Sequence, residues 1–324
     1  MGLADPQGPA IELREISKRY GEVTALSGFG LRVPYGATYG ILGPNGAGKT
    51  TAIRVLLRII APDTGSVSLF GGPVSQKALD RIGYLPEERG LYRRMRVQRL
   101  LTFLAQLKGM STRDSAPRID EWLERLDLTD RRDARLQELS KGNQQKIQFI
   151  SAILHDPEIV ILDEPFSGLD VINQQVLREI IDDLKRRGRT IIFCTHMIAQ
   201  AERICDHICI LAHGEKVIDG PLDEIKRRHD DGAIALRLND RSPVAVERVR
   251  SLTLVDRVHA EGDEMEVILR PGHQPDTLLS ALVELGFGIR RFEVIEPSLE
   301  RIFLERVGAI PEALESGTLE VTHV

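Results

Sequence analysis

Near the start of the chain, apolar residues alternate with polar or small ones: Ile11 and Leu13, then Phe29, Leu31 and Val33, then Val67 and Leu69. A period of two marks strands buried on one face, so an antiparallel sheet is predicted here. Residues 38–42, 159–162 and 191–194 are instead nearly all apolar, as parallel strands covered by helices on both faces must be. Between them, residues 99–108 put Leu100, Leu101, Leu104 and Leu107 on one helical face, and residues 119–126 do the same with Trp122, Leu123 and Leu126. A helical insertion, about residues 88–155, is therefore expected within an α/β core.

The character changes after the polar run 226–232. Beyond it come a strand-like segment at 234–238, a helical one, two strands flanking Gly262, a second helical segment and a strand at 289–295. The order βαββαβ predicts a small ferredoxin-like α+β module. The expected organisation is a tail at 1–10, a main domain at 11–228 and an accessory domain with its tail at 229–324.

Composition narrows the function. With 324 residues, 42% hydrophobic and 28% charged, the chain can bury a sizeable core. A net charge of −5 argues against a nucleic-acid binder, which draws its affinity from clustered Lys and Arg. Cys194, Cys205 and Cys209 lie in or beside apolar stretches without zinc-ligand spacing and read as buried thiols. The N-terminal residues, with Asp5, Pro6 and Pro9, lack a signal-peptide pattern, and no charge-free apolar stretch approaches the roughly 18–20 residues of a membrane-crossing helix. A cytoplasmic protein is expected, with any membrane-spanning part on another chain.

The chemistry concentrates in a few motifs. Gly43, Pro44, Asn45, Gly46, Ala47, Gly48, Lys49 and Thr50, with Thr51 next, fit the phosphate-binding loop G-x-x-x-x-G-K-[ST] between an apolar strand and a helix. Glycines there let backbone N–H groups converge on phosphates at a helix N-terminus. Lys49 is expected on the β- and γ-phosphates, with Thr50 and Asp163 holding Mg²⁺. Glu164, next to Asp163 at an extended strand end, is expected to point away from the metal and act as general base on water.

Leu139-Ser140-Lys141-Gly142-Asn143-Gln144-Gln145 precedes a helix carrying Ile147, Ile150 and Leu154. With the phosphate loop, the acidic strand end at Asp163-Glu164, the run Ser167-Gly168-Leu169-Asp170 and His196 after a strand, it makes five motifs in an order that resembles the ABC ATPase family. The resemblance implies a P-loop ATPase that works as a head-to-tail homodimer. Each ATP would lie between one copy's phosphate loop and the other's Ser140, Gly142 and Asn143. It further implies that Tyr20 stacks on adenine, that His196 contacts the γ-phosphate, and that Asp170 links the two sites. Glu87 stands where the family usually has a metal-sensing glutamine, and is expected to approach Mg²⁺. Lys141 and Asn143 depart from the usual Leu-Ser-Gly-Gly-Gln signature, and Lys141 is expected to put a cation near phosphate.

Within the family, the segments 139–146, 83–92 and 296–306 most resemble the branch of sodium-exporter ATP-binding subunits. That implies an integral membrane permease as partner and a seat on the inner face of the membrane. The basic run 89–96 reads as a partner surface, a solvated loop or a contact for anionic lipid headgroups. A soluble ABC ATPase clamping on a ribosome or nucleic acid uses the same catalytic residues. Against it stand a single phosphate loop and the lack of a long heptad insertion. The accessory module either regulates the motor or stabilises its dimer.

Overall fold

The computed structural model describes residues 8–88, 90–229, 232–240 and 242–307. Asp5 and Pro6 of the N-terminal tail, Arg89 of the basic run, Asp230 and Asp231 of the polar run, and the tail beyond 307 lie outside the described residues. The chain divides into two compact units, one ending at Leu222 and the other beginning at Asp223.

The first unit runs β1 (Ile11–Tyr20), β2 (Val23–Val33), β3 (Thr38–Leu42), α1 (Lys49–Leu56), β4 (Thr64–Leu69), β5 (Gly72–Pro73), α2 (Gln76–Asp80) and β6 (Ile82–Leu85). It continues through α3 (Val97–Leu107), α4 (Thr112–Arg125), α5 (Lys141–Ile153), β7 (Ile159–Asp163), α6 (Val171–Arg186), β8 (Thr190–Thr195), α7 (Ile198–Ile204), β9 (His207–Ala212) and β10 (Glu215–Pro221). The alternating segments form an antiparallel sheet in the order β2-β1-β4-β5. The apolar runs lie in a second sheet, β10-β9-β3-β8-β7-β6, parallel throughout except for β10. Every residue of β3, β7 and β8 is buried, which is why these strands carry no polar face.

Strands β6, β9 and β10 were not separable as strands from pattern alone. β6 is the four residues Ile82-Gly83-Tyr84-Leu85, which neither alternate strictly nor form an all-apolar run. The helical insertion is present as α3, α4 and α5, with α4 and α5 capped by Ser111 and Ser140. All three cysteines are buried and free.

The second unit contains α8 (Leu222–Arg228), β11 (Ile234–Leu238), α9 (Pro243–Arg250), β12 (Val255–Glu261), β13 (Glu264–Leu269), α10 (Pro275–Glu284), β14 (Ile289–Val294) and α11 (Leu299–Val307). Its antiparallel sheet has the order β12-β13-β11-β14, the ferredoxin-like arrangement that βαββαβ predicts. Ile234, Leu236, Val249, Val267, Leu278 and Leu282 form its core. All but the first residue of α8 fall in this unit, where Lys226 lies 3.9 Å from Glu296; the change of character in the sequence comes only after that helix.

Candidate active site

Order in the parallel sheet builds the site. β3, β8, β7 and β6 are consecutive neighbours, and side chains from their carboxyl ends collect where open α/β sheets bind ligands. The phosphate loop follows β3, Thr195 ends β8, Asp163 ends β7, and Glu87 follows β6. A cavity of about 360 Å³ is lined by Asn45, Gly46, Ala47, Gly48, Lys49, Thr50 and Thr51 together with Glu87, Asp163 and Glu164. The predicted phosphate, metal and base residues are thus brought together by one unit.

The loop's backbone is set by glycine. Gly48 caps α1 with φ of 106° and no side-chain hydrogen bond, so the first N–H groups of the helix keep their capacity for an anion. A Cβ on Gly48 would lie 2.4 Å from the Ala25 carbonyl oxygen. Pro44, Asn45 and Gly46 are exposed at the lip, whereas Gly43, Ala47 and Lys49 are buried. Lys49 Nζ donates to the carbonyl oxygens of Gly43 at 2.6 Å and Pro44 at 3.0 Å. Its charge is held at the loop by acceptors that a phosphate can replace.

The acidic pair is arranged differently from the expectation. β7 ends at Asp163 and Glu164 has φ of 48°, so a left-handed turn, and not strand alternation, separates the two carboxylates. Such a conformation costs a non-glycine residue about 1–2 kcal/mol and persists because Glu164 is fastened on several sides. Its N–H donates to Cys194 O at 2.9 Å. Its Oε2 accepts from Thr195 Oγ1 at 3.0 Å, and its Oε1 accepts from the His196 backbone N–H at 2.8 Å and lies 2.7 Å from His196 Nδ1.

Asp163 is 1% exposed and its Oδ2 has no hydrogen-bond partner. Burial, reinforced by the carboxylates of Glu87 and Glu164, pushes its carboxyl up to about 7. A buried, unpartnered oxygen beside a threonine hydroxyl and a second carboxylate suits a hard divalent cation such as Mg²⁺. Among the described residues no cluster of three or more His, Cys, Asp or Glu side chains could hold a metal. The remaining oxygens for such an ion would come from phosphate and water.

Other predicted residues stand apart from this cavity. Tyr20 is 47% exposed, paired with Val23 at the end of the β1–β2 hairpin, and Val23 lines the cavity. Ser140 caps α5, its Oγ accepting from Asn143 N–H at 3.2 Å. Asp170 caps α6, accepting from Asn173 N–H at 2.9 Å and Asn173 Nδ2 at 2.7 Å, bonds that hold its carboxyl below the usual range. Gly142 lies near Asn173 and Leu169. Ser140, Gly142, Asn143 and Asp170 therefore group with one another and do not line the phosphate cavity of their own chain.

Lys141 does not share that grouping: it lines another cavity with Leu91, Arg93, Leu136, Gln144 and Gln148. Two further residues of the site, Thr195 and Gln148, belong to none of the motifs. Thr195 was signalled by a hydroxyl at the end of an all-apolar strand. Gln148, 2% exposed, donates through Nε2 to the carbonyl oxygens of Pro86 and Glu88, both at 3.1 Å, and so ties α5 to the loop that carries Glu87.

Similarity to known proteins bears on the family to which such a site belongs. Residues 26–167 match the family model described as ABC transporter, and residues 220–307 match the C-terminal domain of DrrA1-3-like ATP-binding proteins. The chain is 41% identical to the uncharacterized ABC transporter ATP-binding protein YhaQ of Bacillus subtilis, over 93% of this chain and 100% of that protein. It is 33% identical to the Nod factor export ATP-binding protein I of a Rhizobium species, covering 92% and 97% of the two chains. Identity to the linearmycin resistance ATP-binding protein LnrL of Bacillus subtilis is 30%, covering 92% and 98%. Among solved structures, an ATP-binding subunit of an ABC transporter superposes with a TM-score of 0.64 at 30% identity, covering 68% of this chain and 93% of that one.

Proposed function

The chain belongs to the family of ABC transporter ATP-binding proteins, which hydrolyse ATP to drive transport, and on that premise we propose that it is the motor of a membrane exporter whose spanning part is a separate permease. The observation that carries the reading is the division of the site. The phosphate loop, Glu87, Asp163 and Glu164 line one cavity, whereas Ser140, Gly142 and Asp170 sit elsewhere on the same unit. A second copy, placed head to tail, would supply those groups to the open side of the nucleotide.

In this account Lys49 exchanges the Gly43 and Pro44 carbonyls for phosphate oxygens. Thr50, Asp163 and Glu87 would hold Mg²⁺, which supplies positive charge to the phosphate oxygens as the bond to the leaving group breaks. Glu164 takes a proton from the attacking water, oriented by Thr195 and His196. The ring of Tyr20 stacks on adenine. Ser140, whose Oγ already accepts from Asn143, keeps its hydroxyl hydrogen to donate to the γ-phosphate. No helix among the described residues is long and apolar enough to cross a membrane, in keeping with a permease on another chain.

Export is supported by relatives named for Nod factor export and linearmycin resistance, and these transporter names favour transport over soluble clamping. The test is reconstitution of the chain with its co-purifying membrane protein in lipid vesicles. Membrane-protein-dependent ATP turnover and movement of solute out of the compartment containing the ATPase are expected. Turnover indifferent to the membrane protein would overturn the reading.

A further inference from the structure

Tyr20 sits at the tip of the β1–β2 hairpin, opposite Val23, where Gly21 turns the chain with φ of 56°. An exposed side chain at a hairpin tip loses rotamers when a base stacks on it, so whatever fixes the ring beforehand sets part of the affinity. Lys18 lies two residues earlier on β1, on the same face of the strand, and its Nζ stands over the Tyr20 ring, 5.8 Å from the centroid. The hairpin register slips just after Lys18: Lys18 faces Leu26 but Arg19 faces Thr24, which leaves Ala25 as an extra residue on β2. Ala25 and Val23 line the nucleotide cavity, so the hairpin that carries Lys18 and Tyr20 borders the phosphate loop through its second strand.

Asp63 holds Lys18 in place. Lys18 Nζ donates to Asp63 Oδ1 at 2.8 Å, the Arg19 backbone N–H donates to Asp63 Oδ2 at 2.7 Å, and the Asp63 N–H donates to Ser17 O at 2.9 Å. One residue thus ties three consecutive positions of β1. The Lys18 side chain is left only 17% exposed, whereas a lysine ordinarily keeps its ammonium in water. Asp63 ends the segment between α1 and β4, so the tie runs from the helix that begins at Lys49 to the strand that bears Tyr20. A cation over one face of an aromatic ring is attracted to its π-electrons; it resists rotation of the ring and leaves the opposite face to a base.

We propose that Lys18 and Asp63 are positioning residues for the nucleotide base: Asp63 holds the Lys18 ammonium over one face of Tyr20, and the ring so held presents its other face to adenine. This rests on the reading above that Tyr20 stacks on adenine. Lys18 and Asp63 act through the ring alone, so their effect falls on affinity for the whole nucleotide, and not on affinity for its phosphate chain or on the chemical step.

The test compares, by calorimetry on the full chain with Mg²⁺, the binding of ATP with that of inorganic tripolyphosphate, which offers the phosphate loop three phosphates and no base. Glu164→Gln serves as the parent, so that ATP is not consumed. Lys18→Met should weaken ATP binding about two- to fivefold and leave tripolyphosphate binding unchanged. Lys18→Arg, which keeps a cation within reach of Asp63 and the ring, should restore the affinity. In the Tyr20→Ala background Lys18→Met should have no further effect. With Glu164 intact, Lys18→Met should raise KM by the same factor at unchanged kcat. If ATP and tripolyphosphate affinities fall together, or Lys18→Met acts undiminished without the ring, the ion pair serves the fold and the proposal is overturned. If Tyr20→Ala weakens ATP binding and Lys18→Met does not, stacking stands and the proposal fails. If Tyr20→Ala leaves ATP affinity unchanged, both fall.

Discussion

Glu164 Oε1 lies 2.7 Å from His196 Nδ1 and accepts the His196 backbone N–H at 2.8 Å, so one residue grips the candidate base twice, through ring and main chain. Thr195 takes the other carboxylate oxygen. The base is therefore oriented before nucleotide arrives, as preorganised proton transfer requires.

Glu164→Gln removes the base and keeps the shape of the side chain. ATP affinity should survive, while turnover falls about 10²- to 10⁴-fold. With hydrolysis blocked, light scattering should register a shift from monomer to dimer on adding ATP and Mg²⁺. Near-normal turnover in this variant would exclude Glu164 as the essential base.

Thr195→Val leaves Glu164 Oε2 without its hydroxyl donor in a site where the residue is 7% exposed, and it also removes the acceptor for Met197 N–H. A buried acceptor without a partner costs about 1–3 kcal/mol. Chemical denaturation should show a loss in that range, together with slower turnover. A variant as stable and as fast as the parent would show that the hydroxyl does not orient the base.

Much of this was legible in the sequence, and the exceptions share a cause. The all-apolar strands declared the parallel sheet because burial on both faces leaves no room for polar residues, and the loop from Gly43 to Thr50 declared its ligand because few other patterns gather N–H groups on phosphate. The turn at Glu164 could not be read: a non-glycine residue in the left-handed region is imposed by its tertiary partners, not by local propensity. Gln148 was invisible for the same reason, since its role depends on the carbonyls of Pro86 and Glu88, distant in sequence.

Gly48→Ala tests the loop. The new Cβ would stand 2.4 Å from the Ala25 carbonyl oxygen, and φ of 106° is strained for any L side chain. Strain of about 1–3 kcal/mol at the phosphate-binding N–H groups should weaken ATP binding about tenfold or more, read by calorimetry. Unchanged affinity would mean that the loop does not cradle phosphate in this conformation.

His155 gives the fold a pH dependence. Its Nε2 lies 3.2 Å from Ile82 O, and burial, aided by Lys108, pushes its pKa down to about 4 from an ordinary 6.5. Between those values the unfolded chain binds the extra proton and the folded chain does not, so this contribution is intact above about pH 6.5 and is lost as pH falls toward 4. Urea midpoints measured across that window should decline with acidification, and His155→Gln should flatten the decline. An equal slope in the variant would place the titration elsewhere.

Whether this ATPase drives a membrane partner is decided by expressing tagged Glu164→Gln protein in its native cell and purifying it from membranes solubilised with ATP and Mg²⁺. An integral membrane protein should co-purify in fixed stoichiometry with the chain. Ribosomal or nucleic-acid components, with no membrane protein, would contradict it.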